Sequence, residues 1–515
     1  MNLFQAICSN NSSSTAIIHG RRRMTYGELR EETLSTAQAI ALLGVQQGDR
    51  VALLLHDSPE FVTAFIATCS LGAIAVPVNM GLRPDEHRLI LHNSGAHLAL
   101  VEADICNTLL TDASERLQDL KDIVVIERGA KTAFRALGDV QREAASSDLP
   151  EFVTPVEDQP AFILYTSGST GDPKGAVHTQ AHIFYTNETF CREVLSVNRA
   201  DRLFSSSRLP FAYGLGNSFS FPLLNGATSI LCTEKPTADV VSRVLEENRP
   251  TIFFGVPVVY NFLLDHHRRG NKLDCSSLRL CVSAGEALPA HLGEEWENEF
   301  GVPVVDGIGS TEMLHMFMSN HRDDVRYGSS GKVLNGYEAR LLNEEGETVE
   351  QGVGNLWIKG GSAALGYWEK PGETERTFVN GWVRTGDLYR RDDDGYWFHM
   401  GRSDDCFKSS GRWVSPVEVE GVLIRHDKVS KVAVVADFDA DGLPCPCAFV
   451  VCQDVEFEKG EIEKELSELA AASLPRFKRP RRYLFVSELP YTATGKVQRF
   501  KLREMLRRST EGIAK

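Results

Sequence analysis

Long apolar runs are missing from this chain of 515 residues. No stretch approaches the ~18 apolar residues that a membrane-spanning helix needs. The opening MNLFQAICSNNSSSTAII has neither a basic segment nor a continuous apolar core, so no secretory signal is predicted. The 11 cysteines are odd in number and widely scattered, which is typical of reduced thiols in a cytoplasm. Cys445-Pro-Cys447 has no second Cys or His pair near it, so no zinc site is expected there.

An excess of positive charge is missing as well. The formal net charge is -15, which makes nucleic acid an unlikely main partner. The sign is uneven along the chain, because residues 405–515 carry 19 Lys and Arg against 17 Asp and Glu. The C-terminal fifth is therefore net positive while the rest is strongly acidic. Internal repeats and low-complexity segments are also lacking.

Helical and strand patterns alternate over the first two-thirds of the chain. YGELREETLSTAQAIALLG has helical spacing and ends on Gly44, DRVALLL follows as a buried strand, and PEFVTAFIATCSLG is the next helix. This rhythm predicts an α/β protein with mainly parallel sheets covered by helices. After about Ser329 the pattern changes to turns and short alternating strands, which predicts a β-rich region up to about Met400.

A compact α+β tail completes the predicted architecture. We expect a large N-terminal domain over residues 1–403 and a small, mobile α+β C-terminal domain over residues 404–515. Within the first, residues 1–328 would form two α/β subdomains of parallel-rich sheets flanked by helices. Residues 329–403 would form the small β-rich subdomain.

A loop rich in Gly, Ser and Thr follows a strand-like run in LYTSGSTGDPKGAVHT, from Leu164 to Thr179. It is not a Walker A loop, since Lys174 is followed by Gly175 rather than by Ser or Thr. Hydroxyl donors, flexible glycines and a lysine within eleven residues favour phosphate binding over an ordinary solvated loop. The residues concerned are Thr166, Ser167, Gly168, Ser169, Thr170, Gly171 and Lys174.

Five further motifs accompany this loop, in order along the chain. They are SAGEALP (Ser283–Pro289), DGIGSTE (Asp306–Glu312), GWVRTGDL (Gly381–Leu388), GRSDD (Gly401–Asp405) and PYTATGKVQRFKLR (Pro490–Arg503). Together they resemble the adenylate-forming enzymes, which include acyl-CoA synthetases, adenylation domains and beetle luciferases. The resemblance covers essentially the whole chain. It implies ATP, Mg²⁺ and, for a synthetase, coenzyme A.

The resemblance also implies roles around the nucleotide. Asp387 would accept hydrogen bonds from the ribose diol, and Arg402 would contact ribose or phosphate. Glu312 would be the catalytic carboxylate that holds Mg²⁺, with Thr170 as a further catalytic group. From the residues alone, Asp387 could instead form a turn, and Thr311-Glu312 could cap a helix. The expected adenine and phosphate neighbours are Gly285, Glu286, Asp306, Gly307, Ile308, Gly309, Ser310 and Thr311.

The tail would supply the remaining catalytic cation. By resemblance, Lys496 contacts both the substrate carboxylate and the α-phosphate, where a cation reduces repulsion between two anions. Asp404 would be the hinge that lets the C-terminal domain change pose between two half-reactions. The loop that would then line the coenzyme A tunnel contains Lys408, Ser410, Gly411 and Trp413. For the basic stretch Pro475–Arg482, a solvated face and a contact with coenzyme A phosphates both stay open.

The segments LPFAYGLGNSFSFPL and GSTEMLHMF resemble the benzoate-CoA ligase subgroup, as does DDCFKSSGRWVSPVEVE. Amino-acid-activating relatives usually place an Asp in the first segment, and none is present here. We expect a flat, mostly apolar slot that suits an aromatic ring. For His315, contact with a ring substituent and a packed core position stay open. The pocket residues would be Phe211, Ala212, Tyr213, Gly214, Ile308, Gly309, His315 and Met316.

These expectations converge on an AMP-forming aryl-CoA ligase. It would convert benzoate or a small substituted benzoate, with 2-aminobenzoate as one candidate, to its CoA thioester through an acyl-AMP. An alternative is a stand-alone aryl-acid adenylating enzyme that loads a carrier protein. A silent nucleotide-binding protein on the same fold is disfavoured, because Lys174, Glu312, Asp387, Arg402 and Lys496 are all present. We expect a cytoplasmic monomer or homodimer with no membrane or nucleic-acid partner.

Overall fold

A computed structural model describes residues 1–110, 120–126, 134–167, 173–439, 442–452, 459–491 and 497–511. The chain divides into two compact units. The first comprises Met1–Glu338 and Ile358–Val383, and the second comprises Ala339–Trp357 and Arg384–Lys515. The predicted boundary at residue 404 and the predicted subdomains stay predictions.

Short strands form most of the framework. In chain order they are β1 Thr15–His19, β2 Arg22–Thr25, β3 Arg50–Leu54, β4 Ile74–Pro77, β5 Leu98–Glu102, β6 Asp122–Ile126, β7 Arg135–Ala136, β8 Phe162–Ser167, β9 Pro173–His178, β10 Arg202–Ser205, β11 Thr228–Leu231, β12 Ile252–Gly255, β13 Leu280–Ser283, β14 Val304–Gly309, β15 Met316–Ser319, β16 Lys332–Val333, β17 Glu338–Leu342, β18 Val353–Lys359, β19 Phe378–Val379, β20 Trp382–Arg391, β21 Trp397–Arg402, β22 Phe407–Ser409, β23 Arg412–Val414, β24 Val429–Phe438, β25 Pro444–Cys452 and β26 Arg482–Phe485.

Helices connect and cover these strands. They are α1 Leu3–Cys8, α2 Tyr26–Leu42, α3 Pro59–Ser70, α4 Pro84–Ser94, α5 Ala103–Leu110, α6 Leu137–Ala144, α7 Gln180–Thr186, α8 Ala212–Leu215, α9 Phe221–Leu224, α10 Ala238–Asn248, α11 Pro257–Arg268, α12 Ala290–Phe300, α13 Pro371–Thr377, α14 Pro416–Leu423, α15 Lys459–Ser473 and α16 Arg499–Glu511. Two π-helical segments occupy Asn187–Leu195 and Gly216–Ser220, and a 3₁₀ turn occupies Arg476–Lys478.

The first unit contains a nine-stranded sheet with the order β16-β15-β14-β13-β12-β10-β11-β1-β2. Its six central strands, from β14 to β1, pair in parallel, and antiparallel strands complete both edges. Parallel strands bring their carboxyl ends to one edge, where ligands of open α/β sheets usually bind. The loops after β13 and β14 carry two of the sequence motifs and start at that edge.

A seven-stranded sheet in the same unit has the order β7-β6-β5-β3-β4-β8-β9. Every neighbouring pair is parallel except β8 and β9, which form an antiparallel edge. The predicted parallel-rich α/β architecture is therefore confirmed. It also follows that the Gly/Ser/Thr loop connects two paired strands, rather than a strand and a helix as in a Walker A loop.

Helix α3 joins the two sheets through a shared core. Ser58 caps its start by accepting a hydrogen bond from the Phe61 N–H (3.4 Å), and Pro59 fits the first turn, where no N–H is needed. The Phe65 ring packs against Phe162 of β8 at 5.5 Å and against Phe219 of a π-helical segment at 5.0 Å between ring centroids. Most side chains of α3 are apolar or small, and all of its residues except Glu60 are buried.

The second unit holds most of a small antiparallel region and the α+β tail. Strands β17, β18 and β20 lie side by side, and β21 pairs with the second half of β20. The hairpin β22–β23 stands alone, whereas β24, β25 and β26 form a three-stranded sheet with α14, α15 and α16 packed beside it. None of the helices that the structure describes is long and apolar enough to cross a membrane.

Candidate active site

The phosphate-side residues lie along the edge pair β8–β9. Thr166 pairs with Lys174 across the two strands. The Lys174 Nζ is 2.7 Å from Glu373 Oε2 and 5.6 Å from the centre of the Tyr367 ring. The predicted loop residues Gly168, Ser169, Thr170 and Gly171 and the side chain of Ser167 lie outside the described residues. The structure therefore places the loop's strands and its lysine.

Glu312 is held from both its backbone and its side chain. The Tyr367 hydroxyl donates to Glu312 Oε1 at 2.6 Å, and the Ala364 N–H donates to the Glu312 carbonyl at 2.7 Å. Oε2 accepts no hydrogen bond within the described part of the chain. Mg²⁺ in nucleotide sites is usually bound by one or two carboxylates together with phosphates and waters. A half-buried carboxylate with one oxygen held and one available fits that requirement.

The predicted ring pocket centres on His315, which is 3% exposed. Its ring lies 5.6 Å from that of Tyr213, 5.0 Å from that of Phe190 and 4.6 Å from that of Phe221. Its Nε2 pairs with Asn217 Oδ1 at 3.2 Å. Burial lowers the pKa of His315 to about 3, so the ring is neutral at physiological pH. In this structure His315 is thus a packed and hydrogen-bonded residue, and a contact with a ring substituent stays a prediction.

The rest of the pocket is built on the segment from α8 to α9. Phe211 precedes α8, while Ala212, Tyr213 and Gly214 lie in it. The Tyr213 hydroxyl lies 3.2 Å from the Val282 carbonyl and 3.3 Å from that of Gly255, at the carboxyl ends of β13 and β12. This hydroxyl is thereby used to fix the ring against the sheet. Met316 begins β15 and is buried, whereas Ile308 is half-buried and Gly309 exposed.

Two glycines are required by close packing in this segment. A Cβ at Gly214 would lie 2.0 Å from the Arg208 carbonyl oxygen, and a Cβ at Gly216 would lie 2.4 Å from His315 Cδ2. Both distances are far below van der Waals contact. Gly216 opens the π-helical segment Gly216–Ser220, which also carries Asn217 toward His315. π-helical turns are rare and frequently occur at functional sites.

The predicted adenine neighbours lie at the carboxyl edge of β13 and β14. Ser283 pairs with Asp306, so the loop with Gly285 and Glu286 starts beside Gly307. Gly285 has φ +90°, a conformation that favours glycine, and Glu286 is exposed. The structure thus brings Gly285 and Glu286 together with the strand from Asp306 to Gly309. Ser310 and Thr311 follow that strand and are half-buried.

Asp306, which the motif predicts to lie beside the adenine, is a buried residue in this structure. It is 3% exposed, and its Oδ2 accepts from the Leu288 N–H at 3.3 Å. Burial raises the pKa of this carboxyl to about 8, and the hydrogen bonds lower it only in part. Tyr213 lies within its electrostatic reach. A carboxyl group does therefore lie near the pocket, in a protonated form at neutral pH.

In the second unit, Asp387 lies opposite Arg402 on the β20–β21 pair. Arg402 Nη1 donates to Asp387 Oδ1 at 3.2 Å, and His399 Nε2 lies 3.5 Å from the same oxygen. Burial by itself raises the pKa of Asp387, but His399 and Arg402 outweigh it and hold the pKa below its usual value. The carboxylate is consequently ionised at neutral pH, as an acceptor for a ribose diol must be.

The predicted hinge and coenzyme A loop follow directly after β21. Asp404 is exposed in a turn. Lys408 pairs with Trp413 on the hairpin β22–β23, with Nζ 4.9 Å from the centre of that ring. Ser410 and Gly411 form its two-residue tip with φ of 52° and 72°, as in a type I′ turn. The sequence did not predict this hairpin. Lys496 lies outside the described residues.

The basic stretch Pro475–Arg482 is largely neutralised inside the second unit. Lys478 pairs with Glu418 at 2.5 Å, Arg482 with Asp437 at 2.6 Å, and Arg481 with Asp439 at 2.5 Å. Arg479 Nε donates to the Leu474 carbonyl at 2.8 Å. These contacts favour the surface role over a contact with coenzyme A phosphates.

The sequence did not predict four residues that support the site. Tyr367 and Glu373 hold Glu312 and Lys174, Asn217 pairs with His315, and His399 pairs with Asp387. Each lies far along the chain from its partner or outside the quoted motifs. Only His399, two residues before the GRSDD motif and on a strand next to Asp387, could have been inferred from a hairpin register.

Comparison with known proteins agrees with this geometry. Residues 4–368 match the family model "AMP-binding enzyme", and residues 418–496 match "AMP-binding enzyme C-terminal domain". The benzoate–CoA ligase of Thauera aromatica is 39% identical over 508 residues, covering 96% of this chain and 94% of that protein. The solved anthranilate CoA ligase AuaEII in complex with anthranoyl-AMP aligns with TM-score 0.91 at 36% identity, over 98% of this chain and 97% of that one.

A second solved structure, a benzoate CoA ligase from Burkholderia xenovorans LB400, aligns with TM-score 0.86 at 38% identity. The alignment covers 97% of this chain and 98% of that one. The two-unit fold, the sequence motifs and these similarities define an adenylate-forming enzyme. The chain belongs to the AMP-binding enzyme family.

Proposed function

We propose that this protein is an AMP-forming aryl-CoA ligase that uses ATP, Mg²⁺ and coenzyme A. In the first step an oxygen of the aryl carboxylate attacks the α-phosphorus of ATP. The bond from that phosphorus to the bridging oxygen breaks, and pyrophosphate leaves. In the second step the thiol sulfur of coenzyme A attacks the acyl carbon and loses its proton, and the bond to the AMP oxygen breaks.

One observation carries this proposal: the short loop after β14 bears both Glu312 and His315. Glu312 is held by Tyr367 with one oxygen available for a metal, and His315 is packed among aromatic rings. A group suited to metal-bound phosphate and a cluster of aromatic rings are therefore joined by three peptide bonds. Such an arrangement fits a reaction between an aromatic acid and a nucleotide.

Charge placement supports the first step. Two anions must meet, and their repulsion has to be reduced. Lys174 would attend the departing pyrophosphate, while Lys496 would contact the carboxylate and the α-phosphate. Bound Mg²⁺, held by Glu312 and the phosphates, supplies positive charge that stabilises the phosphate oxygens. Asp387 would orient the nucleotide through its ribose, which its ionised form allows.

The substrate class follows from the pocket. Tyr213, Phe190 and Phe221 surround His315 with flat apolar surface, and Asp306 nearby is held protonated. Neither feature would stabilise an ammonium group on the α-carbon. We therefore propose benzoate or a small ring-substituted benzoate, including 2-aminobenzoate, as the acid. The similar benzoate and anthranilate CoA ligases support this choice.

Rotation about Asp404 would present Lys496 for the first step and the Lys408–Trp413 hairpin for the second. Asp404 is exposed in a turn, where a backbone rotation breaks no buried contact of its own side chain. The proposal further includes a cytoplasmic monomer or homodimer.

A panel of benzoates tests the proposal. The purified chain is incubated with ATP, Mg²⁺, coenzyme A and one acid at a time, and AMP release and thioester formation are measured. We expect activity with benzoate and small substituted benzoates, and none with phenylalanine or a long-chain fatty acid. A parallel assay replaces coenzyme A by a carrier protein. Loading of the carrier protein without thioester formation on coenzyme A would identify the alternative, an enzyme that loads carrier proteins. A folded protein without pyrophosphate exchange for any aromatic acid would contradict the proposal.

A further inference from the structure

Two buried histidines lie next to the site and have no role in the chemistry described so far. His178 ends β9 with 0% exposure, and His182 lies one turn later in α7 with 7% exposure. Their Nδ1 atoms are 3.0 Å apart, with the rings nearly perpendicular. The other ring nitrogen of His178, Nε2, lies 2.8 Å from the Thr311 carbonyl oxygen.

The contact with the Thr311 carbonyl fixes the tautomer of His178. A carbonyl only accepts, so the proton of a neutral His178 must be on Nε2, and its Nδ1 must accept. The contact of 3.0 Å then requires a proton on His182 Nδ1. Burial holds the pKa of His178 at about 3 and that of His182 at about 4, so neither ring is an imidazolium at neutral pH. The Thr179 N–H, 3.4 Å from His182 Nδ1, competes for that nitrogen, because a protonated Nδ1 cannot accept it.

The hydrogen bond from His178 Nε2 to the Thr311 carbonyl constrains the loop that carries Glu312. Thr311 is the residue immediately before Glu312, and its carbonyl also accepts the Leu314 N–H at 3.1 Å. Leu314 has φ 62°, a conformation that a leucine adopts only when its surroundings impose it. The loop therefore depends on contacts from outside itself. His178 supplies one of them from a different sheet.

The same histidine belongs to the strand that leaves the Gly/Ser/Thr loop. β9 runs from Pro173 to His178, and the His178 ring stacks on Phe162 of β8 at 5.3 Å. Residue 178 thus contacts both strands that flank the phosphate loop and the loop that carries Glu312. A shift of His178 would change the position of Glu312 relative to Lys174, which is on the same strand.

We propose that His178 is a positioning residue for the adenylation step, and that His182 fixes its tautomer. The Nε2–H of His178 would set Thr311, and through it Glu312, at the distance from Lys174 that a metal-bound triphosphate requires. This inference rests on the proposed function. It predicts an effect confined to the step in which Mg²⁺ and pyrophosphate take part.

The test compares two substitutions at one position. His178→Gln keeps an amide N–H close to the place of Nε2, whereas His178→Phe keeps an aromatic ring without a donor. His87 of α4 provides a matched control, because it is 3% exposed and its Nε2 lies 2.9 Å from the Asn79 carbonyl. His87→Phe therefore removes the same kind of bond elsewhere in the unit. Pyrophosphate exchange and thioester formation from supplied acyl-AMP are measured separately.

We expect His178→Phe to lower pyrophosphate exchange by about 10–100-fold, the usual effect of losing a group that orients a metal ligand. Thioester formation from acyl-AMP should change by less than about two-fold. Calorimetric titration in the absence of the aromatic acid measures how much Mg²⁺ increases the affinity for ATP. This increase should be smaller in His178→Phe than in the wild type, while the affinity for ATP without Mg²⁺ should be the same. His178→Gln should recover most of both losses.

Three results would overturn the inference while the wild type stays active. They are equal losses in both half-reactions, no loss in His178→Phe, and equal behaviour of His178→Phe and His87→Phe. An inactive wild type would instead overturn the proposed function. If His178→Phe does not fold, the rates of pyrophosphate exchange of His182→Asn and His182→Leu are compared instead. Asn keeps an N–H near Nδ1, so only Leu should lower exchange, and equal effects of the two would reject the tautomer role.

Discussion

Asp306 in the first unit and Asp387 in the second are both buried residues of the sequence motifs, and the two are in opposite charge states. The groups that act on Asp306 are neutral, and burial raises its pKa to about 8. Asp387 is equally enclosed, but Arg402 and His399 hold its pKa below the usual value. Burial alone therefore does not set the charge of a carboxyl group. The cations within reach decide it.

This difference assigns different work to the two units. The ionised Asp387 can accept two hydrogen bonds from a ribose diol, whereas the protonated Asp306 adds no negative charge near an aryl carboxylate. The first unit would thus keep its acyl side free of repelling charge. The second would bind the ribose and supply Lys496.

The strongest test of this division is Lys496→Ala. Loss of a cation at the reacting anions should lower adenylation by roughly 10²–10³-fold, as removal of a charge-stabilising donor does in other enzymes. Thioester formation from supplied acyl-AMP should persist, because rotation about Asp404 would present the Lys408–Trp413 hairpin in place of Lys496 for that step. Separate assays of the half-reactions measure both. An equal fall in the two would show that the lysine acts in both steps.

The same substitution at the two aspartates sharpens the comparison. Asp387→Asn should weaken ATP and AMP binding by about 10–100-fold, since hydrogen bonds to a charged group contribute ~1.5–3 kcal/mol. Asp306→Asn replaces a protonated carboxyl group by a neutral amide and should change nucleotide affinity by only about two-fold. Calorimetric titration of both variants gives the numbers. Equal losses would contradict the assigned charge states.

Tyr367→Phe probes the support of Glu312. Without the bond of 2.6 Å, the carboxylate loses its orienting donor, and adenylation should fall by about ten-fold. The matched control is Tyr185→Phe, which removes a hydroxyl that donates to the Gly336 carbonyl in the same unit. The control should keep its rate of pyrophosphate exchange. A similar fall in both variants would point to general loosening of the fold.

The last test measures stability in place of activity. Because the pKa of Asp306 is raised to about 8, its contribution is full below pH 3.8 and is lost as the pH rises through 8. The wild type should therefore lose up to about 1.4 kcal/mol of unfolding free energy per pH unit relative to Asp306→Asn between pH 6 and 8. Urea unfolding at several pH values measures this difference. A difference that does not vary with pH would reject the raised pKa.

Much of the fold could be predicted because the pattern of buried strands is local. The predicted helix at the start of the chain appears as α2, Tyr26–Leu42, and the predicted strand-helix-strand rhythm appears as two parallel-rich sheets. The π-helical segment Gly216–Ser220 could not be predicted in this way. It depends on a contact with His315, almost a hundred residues later.

The motif residues of the site could be named from the sequence, but their supporting contacts could not. Glu312 stands out in its motif, whereas Tyr367 becomes relevant only when the fold brings its hydroxyl to that carboxylate. The charge states of the two aspartates could not be predicted from the sequence either. Asp306 and Asp387 both occur next to glycine at strand positions, and the sequence does not show which of them has an arginine opposite.

The close approach of Gly216 and His315 has a consequence for how this pocket can change over evolutionary time. A Cβ at residue 216 would overlap the imidazole at 2.4 Å, so the two positions share one volume. A larger residue at 216 is therefore accessible only after His315 has been replaced by a smaller one.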